Sequence, residues 1–202
     1  MLIKVCGMRD SANIQQVAAL QPDWMGFIFY PKSKRYVGKE FVHPCVPGIK
    51  TVAVFVDEEP GKVRDIINDN RFDFAQLHGD ESPVYCQKIK EYGIHVIKAF
   101  GIHEGFNWQK LKQYQDVCDY FLFDTSTADY GGSGQKFDWS ILGNYRLSKP
   151  FLLSGGIGPD DAAEIQTIKH SALAGIDLNS KFETAPALKD VEKLRIFLTE
   201  LR

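Results

Sequence analysis

Two side chains suited to proton transfer stand at the ends of strand-like runs. Leu2-Ile3-Lys4-Val5 stops at Cys6, with Gly7 directly after it, and Tyr120-Phe121-Leu122-Phe123 stops at Asp124. A thiol and a carboxyl delivered by two strands to one end of a sheet make an acid–base pair, one group giving a proton where the other takes one. Other polar groups end nearby strands. Gln76 and His78 share a side-chain parity at the end of Phe74–Leu77, so both can face one pocket. His78 has the plainer alternative of bonding its own loop. Arg35, in the basic stretch from Tyr30 to Tyr36, can grip a carboxylate with two parallel bonds. A solvated basic turn is the competing reading.

Glycine placement points to an anion. Ser154-Gly155-Gly156-Ile157-Gly158 follows one late strand, and Asp177-Leu178-Asn179-Ser180-Lys181 ends the next. Backbone N–H groups freed by glycine can approach a phosphate closely there. Gly131-Gly132-Ser133-Gly134-Gln135-Lys136 follows Asp124 and reads as a lid over the site, or else as an ordinary surface loop.

Eight strands are needed to position these groups, and eight are visible. They are Leu2–Val5, Trp24–Phe29, Thr51–Val56, Phe74–Leu77, His95–Phe100, Tyr120–Asp124, Phe151–Ser154 and Leu173–Leu178. Most are dense in Val, Ile, Leu and Phe without alternation, as parallel strands covered by helices require. Helix signals lie between them. Ser11 can cap a helix reaching Leu20, and Pro60 opens one to Asn70. Ser82-Pro83 opens another that Gly93 ends, Pro159 opens a further one, and Lys189–Leu201 closes the chain. Pro44 and Pro47 leave room for only a short helix in the second unit. The pattern predicts α/β architecture, a single (β/α)8 TIM barrel over residues 1–202. An open doubly wound sheet is the other solution, but no G-x-G-x-x-G follows the first strand. Within a barrel, parity turns Leu122 inward with Asp124 and leaves Phe121 and Phe123 to pack against the outer layer.

The 202 residues carry 24 basic and 26 acidic side chains, a balance that argues against a nucleic-acid partner. No apolar run approaches the roughly 20 residues of a membrane span, and the N-terminus lacks a signal peptide's pattern, so a cytoplasmic protein is expected. Cys45, Cys86 and Cys118 show no CxxC spacing and read as buried free thiols, with no metal site implied.

Together these motifs resemble the phosphoribosylanthranilate isomerase family. The similar segments are Lys4-Val5-Cys6-Gly7, Gly26-Phe27-Ile28-Phe29, Ser33-Lys34-Arg35-Tyr36-Val37 and Val54-Phe55-Val56. Further along come Gln76-Leu77-His78-Gly79, Phe123-Asp124-Thr125, Gly131-Gly132-Ser133-Gly134 with Phe137-Asp138-Trp139, Ser154-Gly155-Gly156-Ile157, and Gly175 through Glu183. The resemblance implies an Amadori rearrangement in tryptophan biosynthesis, converting N-(5-phosphoribosyl)anthranilate to 1-(2-carboxyphenylamino)-1-deoxyribulose 5-phosphate with no metal or organic cofactor. Carried over, Asp124 is the general acid, Cys6 as thiolate the base, and Arg35 the holder of the anthranilate carboxylate. Gln76, His78, Gly134, Gly155, Gly156, Asp177, Asn179, Ser180 and Lys181 would bind the rest of a small phosphoribosyl substrate, in a monomer or homodimer. These roles call for a positive or dipolar neighbour at Cys6 and a desolvated setting at Asp124. Lys34 replaces the family's usual proline, and Lys181 and Ala187 stand where glycine is common. Lysine at 181 keeps the backbone N–H but resists positive φ, so it either adds a phosphate-binding charge or distorts the eighth loop. Another phosphosugar isomerase or synthase, or a non-catalytic binding barrel, are the competing readings. The Cys6–Asp124 pairing speaks against both.

Overall fold

A computed structural model describes residues 1–125 and 136–202. Eight parallel strands pair in chain order and close on themselves: β1 (Leu2–Val5), β2 (Trp24–Ile28), β3 (Lys50–Phe55), β4 (Phe74–Leu77), β5 (His95–Ile102), β6 (Tyr120–Thr125), β7 (Phe151–Leu153) and β8 (Leu173–Leu178). Closure comes from β1, which bonds to both β2 and β8. All eight expected strands form, because each is an apolar run with burial available on both faces.

The two faces of the sheet are separate apolar clusters. Inside lie Cys6, Trp24, Val52, Val54, Phe74, Ile97, Ala99, Leu122 and Leu152. Phe121, Phe123, Phe151 and the outward residues of the other strands join the larger cluster beneath the helices. The parity drawn from Asp124 therefore holds at Leu122, Phe121 and Phe123. Trp24, Phe74 and Tyr120, the first residues of β2, β4 and β6, close the barrel floor, with ring centroids 4.7 Å apart for Trp24–Phe74 and 5.1 Å for Trp24–Tyr120. Three rings from alternate strands in one layer is the packing such a barrel requires.

The outer layer is thinner than the sequence suggests. Helix α1 (Ser11–Ala18) is capped by Asp10, not Ser11, whose carboxylate accepts the Asn13 N–H at 2.8 Å, and it ends two residues short of Leu20. Helices α2 (Pro60–Asn70) and α3 (Pro83–Glu91) are capped by Glu59 and Ser82, with proline in the first turn of each. Helix α4 (Ala162–Thr167) follows the 3-10 turn Pro159–Asp161. In the second unit residues 39–49 form no helix at all. Phe41 covers that face, its ring 5.5 Å from Phe27 and 5.7 Å from Phe72. Among the described residues the fifth and sixth units hold only 3-10 turns, Trp108–Tyr114 and Trp139–Asn144. There Trp108 and Tyr145 shield Phe123, at 5.5 and 5.2 Å.

Lys189 does not begin the last helix. It belongs to an unforeseen hairpin, β9 (Glu183–Ala185) with β10 (Leu188–Lys189), and α5 (Val191–Leu201) starts after the Asp190 cap. Cys86 and Cys118 are buried as expected, but Cys45 is exposed on the helix-free segment. Among the described residues no helix is long and apolar enough to cross a membrane.

Candidate active site

The register of β1 on β8 sets Lys4 beside Asp177. Both point inward, and the ammonium donates to Asp177 Oδ1 at 2.9 Å with the two side chains 0% and 4% exposed. Cys6, two residues beyond Lys4, shares its parity and reaches the same ammonium. Lys4 is therefore the positive neighbour that a thiolate at Cys6 requires. Burial pushes the Cys6 thiol up, Lys4 pulls it down and the Asp177 charge pushes it up again, so its pKa stands above the ordinary value and Lys4 is the main group that opposes the rise. Burial also works against the Lys4 ammonium, but Asp177 and Cys6 outweigh it and hold its pKa above the ordinary value. Gly26 on β2 makes the room: a Cβ there would sit 2.6 Å from Cys6 Sγ and 3.0 Å from Lys4 Nζ.

Across the barrel, β4 and β6 bring Gln76, His78 and Asp124 together. His78 Nε2 lies 3.1 Å from Asp124 Oδ2, and Gln76 Nε2 lies 2.8 Å from His78 Nδ1. Thr125 N–H donates to Asp124 Oδ1 at 2.8 Å. The desolvated setting expected at Asp124 is not found, since 18% of its side chain stays exposed at the pocket wall. Gly155, at φ +85°, lets the seventh loop close on this carboxyl, where a Cβ would come within 2.9 Å of Asp124 Oδ1.

Arg35 forms a third station, but its fork is engaged. Nε and Nη2 bind both oxygens of Glu183 at 2.7 to 3.1 Å. Lys189 Nζ reaches Glu183 at 2.6 Å and Asn179 Oδ1 at 2.8 Å. Burial works against the Glu183 carboxylate, but Arg35 and Lys189 outweigh it and hold its pKa below the usual range. Burial lowers Lys189 despite that partner.

Cys6, Arg35, Gln76, His78, Asp124, Ser154, Gly155, Asp177 and Asn179 line one cavity, with Ile28, Tyr30, Val54 and Val56 as its apolar wall. Gly156 and Ser180 adjoin the lining residues Gly155 and Asn179 in the chain, Lys181 follows Ser180, and none of the three lines the cavity. Gly134 and the glycine loop through Gln135 lie outside the described residues. Lys181 sits exposed in the 3-10 turn Ser180–Phe182 and does not take positive φ, so no such strain arises there. Ala187 is the departure that is strained, at φ +66°.

Residues 3–200 match the family model described as N-(5'phosphoribosyl)anthranilate (PRA) isomerase. The chain belongs to the phosphoribosylanthranilate isomerase family. The isomerase of Parabacteroides distasonis is 45% identical over 211 residues, covering 100% of this chain and 93% of that one. The crystal structure of the Thermotoga maritima isomerase is 32% identical with a TM-score of 0.81, covering 100% and 98%. A further isomerase structure, solved with reduced 1-(o-carboxyphenylamino)-1-deoxyribulose 5-phosphate, is 29% identical with a TM-score of 0.77 and the same coverage. The chain is thus a phosphoribosylanthranilate isomerase acting in tryptophan biosynthesis, and the expected barrel is the family's fold. Sequence reading missed three polar partners in this isomerase: Lys4, Glu183 and Lys189. Lys4 was legible by applying to β1 the parity used on β6. Lys189 was hidden by its resemblance to a helix start.

Proposed function

We propose that Cys6 and Asp124 carry out the rearrangement as base and acid, and the observation that supports this most is that both line one cavity. Asp124 gives a proton to the ribose ring oxygen. The C1–O bond breaks with its electrons going to oxygen, and the anthranilate nitrogen lone pair forms an iminium. The iminium acidifies the C2 proton, which the Cys6 thiolate removes, and the released electrons form the enolamine. The Cys6 thiol then returns its proton to C1 as the C2 hydroxyl gives up its own, which leaves the ketone product and restores the thiolate. Lys4 balances the thiolate charge before the proton arrives.

Arg35 holds the anthranilate carboxylate by the guanidinium edge that Glu183 leaves open. The phosphate sits between the seventh and eighth loops. Gly155 and Gly156, both at positive φ, and the turn at Ser180–Phe182 offer backbone N–H groups there, and Lys181 adds charge from the rim. The small-molecule substrate is thereby held at three points around the reacting carbons.

The deciding experiment follows loss of anthranilate-type fluorescence from freshly made phosphoribosylanthranilate. Cys6→Ser and Asp124→Asn should each lose roughly 10²-fold or more in kcat with KM little changed. Near-normal turnover by either variant would remove that residue from its role.

A further inference from the structure

The acid needs a proton in place before substrate arrives. What the Asp124 carboxyl has beside it is His78, 3.1 Å from Oδ2, and behind His78 the amide of Gln76. Which atoms carry hydrogen along this chain decides whether it can act as an acid.

Two arrangements are possible. If Gln76 donates from Nε2 to His78 Nδ1, a neutral imidazole carries its hydrogen on Nε2 and gives it to the Asp124 carboxylate. That state is discharged, since no acidic proton remains on the pair. One end of the Gln76 amide is buried without a partner among the described residues whichever way it is turned, Oε1 in this state and Nε2 in the other, so the His78 contact decides its orientation. If the Gln76 amide is turned by half a revolution, Oε1 accepts from Nδ1–H instead. The nitrogen facing Asp124 then has a lone pair, and one proton fits between Nε2 and Oδ2. Amide oxygen and nitrogen are nearly isosteric, so the turn needs no other movement.

We propose that His78 is the positioning residue for the acid: it holds the transferable proton jointly with Asp124, and Gln76 selects this state by accepting from Nδ1–H. The proposal rests on the acid role of Asp124. The proton passes from the pair to the ring oxygen as the C1–O bond breaks. The proton freed from the C2 hydroxyl when the enolamine becomes the ketone equals the one given up, so the pair is restored without any outside reagent.

His78 is held on both sides for this purpose. Lys98 Nζ donates to the Leu77 and Gly79 carbonyls at 3.2 and 2.8 Å and pairs with Glu81 at 3.1 Å, with both side chains almost fully buried. Glu81 in turn accepts the Gly79 N–H at 3.0 Å and the Asp57 N–H at 2.9 Å. A ligand-binding histidine needs freedom to follow its ligand. This one is bolted by its neighbours and saturated by Gln76 and Asp124.

The test measures kcat and KM across pH for the wild type, His78→Asn, Gln76→Leu and Asp124→Asn. Lys4, Cys6, Arg35 and Asp177 face the same cavity, and Asp57, Asp80, Glu81 and Lys98 surround the His78 loop. All stay in place in every variant except the one altered, so a changed profile belongs to the removed group. His78→Asn should lose roughly tenfold or more in kcat above neutral pH with KM nearly unchanged, and should recover as pH falls and Asp124 takes its proton unaided. Gln76→Leu should move the same limb in the same direction by less. Asp124→Asn should stay inactive at every pH. A His78→Asn loss equal at all pH values, or a rise in KM with kcat intact, would overturn the relay while leaving the acid in place. An active Asp124→Asn would overturn the acid assignment, and the relay with it.

Discussion

Replacing Lys4 by Met separates what this ammonium does for stability from what it does for catalysis. Its partner Asp177 is 2.9 Å away and 4% exposed. Removing one member of such a pair leaves a buried charge uncompensated and costs about 3–5 kcal/mol. In a domain of this size that lowers Tm by about 6–20 °C. Burial already pushes the Asp177 carboxyl up, with Lys4 opposing. Without Lys4 the folded protein holds Asp177 protonated. A carboxyl whose folded pKa lies above its unfolded one stabilises below the unfolded value and loses that contribution as pH rises through the folded one. The variant is therefore expected to regain stability as pH falls from 8 to 5. Asp177→Asn in the same chain removes the stranded charge, and the double variant should recover most of the lost Tm.

Catalysis should not recover with it. Lys4 pulls the Cys6 thiol down against burial, so its loss should shrink the thiolate population. Alkylation of Cys6 by iodoacetamide reads that population directly, in a Cys45→Ser background because Cys45 is exposed. The single variant Asp177→Asn should react faster than wild type, since its charge competes for Lys4. Adding Lys4→Met should then slow both alkylation and turnover. A double variant within about threefold of Asp177→Asn in both assays would refute Lys4 as the source of the thiolate.

Arg35→Ala should raise KM about tenfold while changing kcat less, and an unchanged KM in steady-state turnover would exclude a carboxylate clamp. Ala187→Gly relieves a non-glycine residue at φ +66°, so urea unfolding should show a gain of about 0.5–1 kcal/mol after the extra chain entropy of glycine is deducted. Lys181→Gly has no positive φ to relieve. Its expected result is unchanged or slightly lower stability with a higher KM, and a clear stability gain would contradict the loop geometry. The Glu183 carboxylate is held low against burial by Arg35 and Lys189, so its contribution is present above its unfolded pKa near 4.5 and fades as pH falls through the lower folded value. Glu183→Gln should accordingly be less stable than wild type at pH 7, with the gap narrowing below about pH 4 in denaturant titrations.

By itself the sequence determined the eight strands, because runs such as Val52-Ala53-Val54-Phe55 are buried on both faces and need no distant partner to declare themselves. It also determined the inward parity of Leu122 and the helices opened by Pro60 and Pro83, since period and capping are local. It placed Cys6 and Asp124 at strand ends, and the tertiary structure set them in the lining of one cavity. Only the tertiary structure decided which charges pair. Lys4 meets Asp177 across 173 residues through the register of the closing strands, and Arg35 meets Glu183 across 148. The same holds for cover. Phe41 replaces a helix in the second unit, and Trp108 with Tyr145 does so over Phe123, because any apolar side chain that reaches the sheet can exclude water from it. Strand identity is a short-range property of the chain. The partners of Cys6 and Asp124, Lys4 and His78, are beside them only once the barrel has closed.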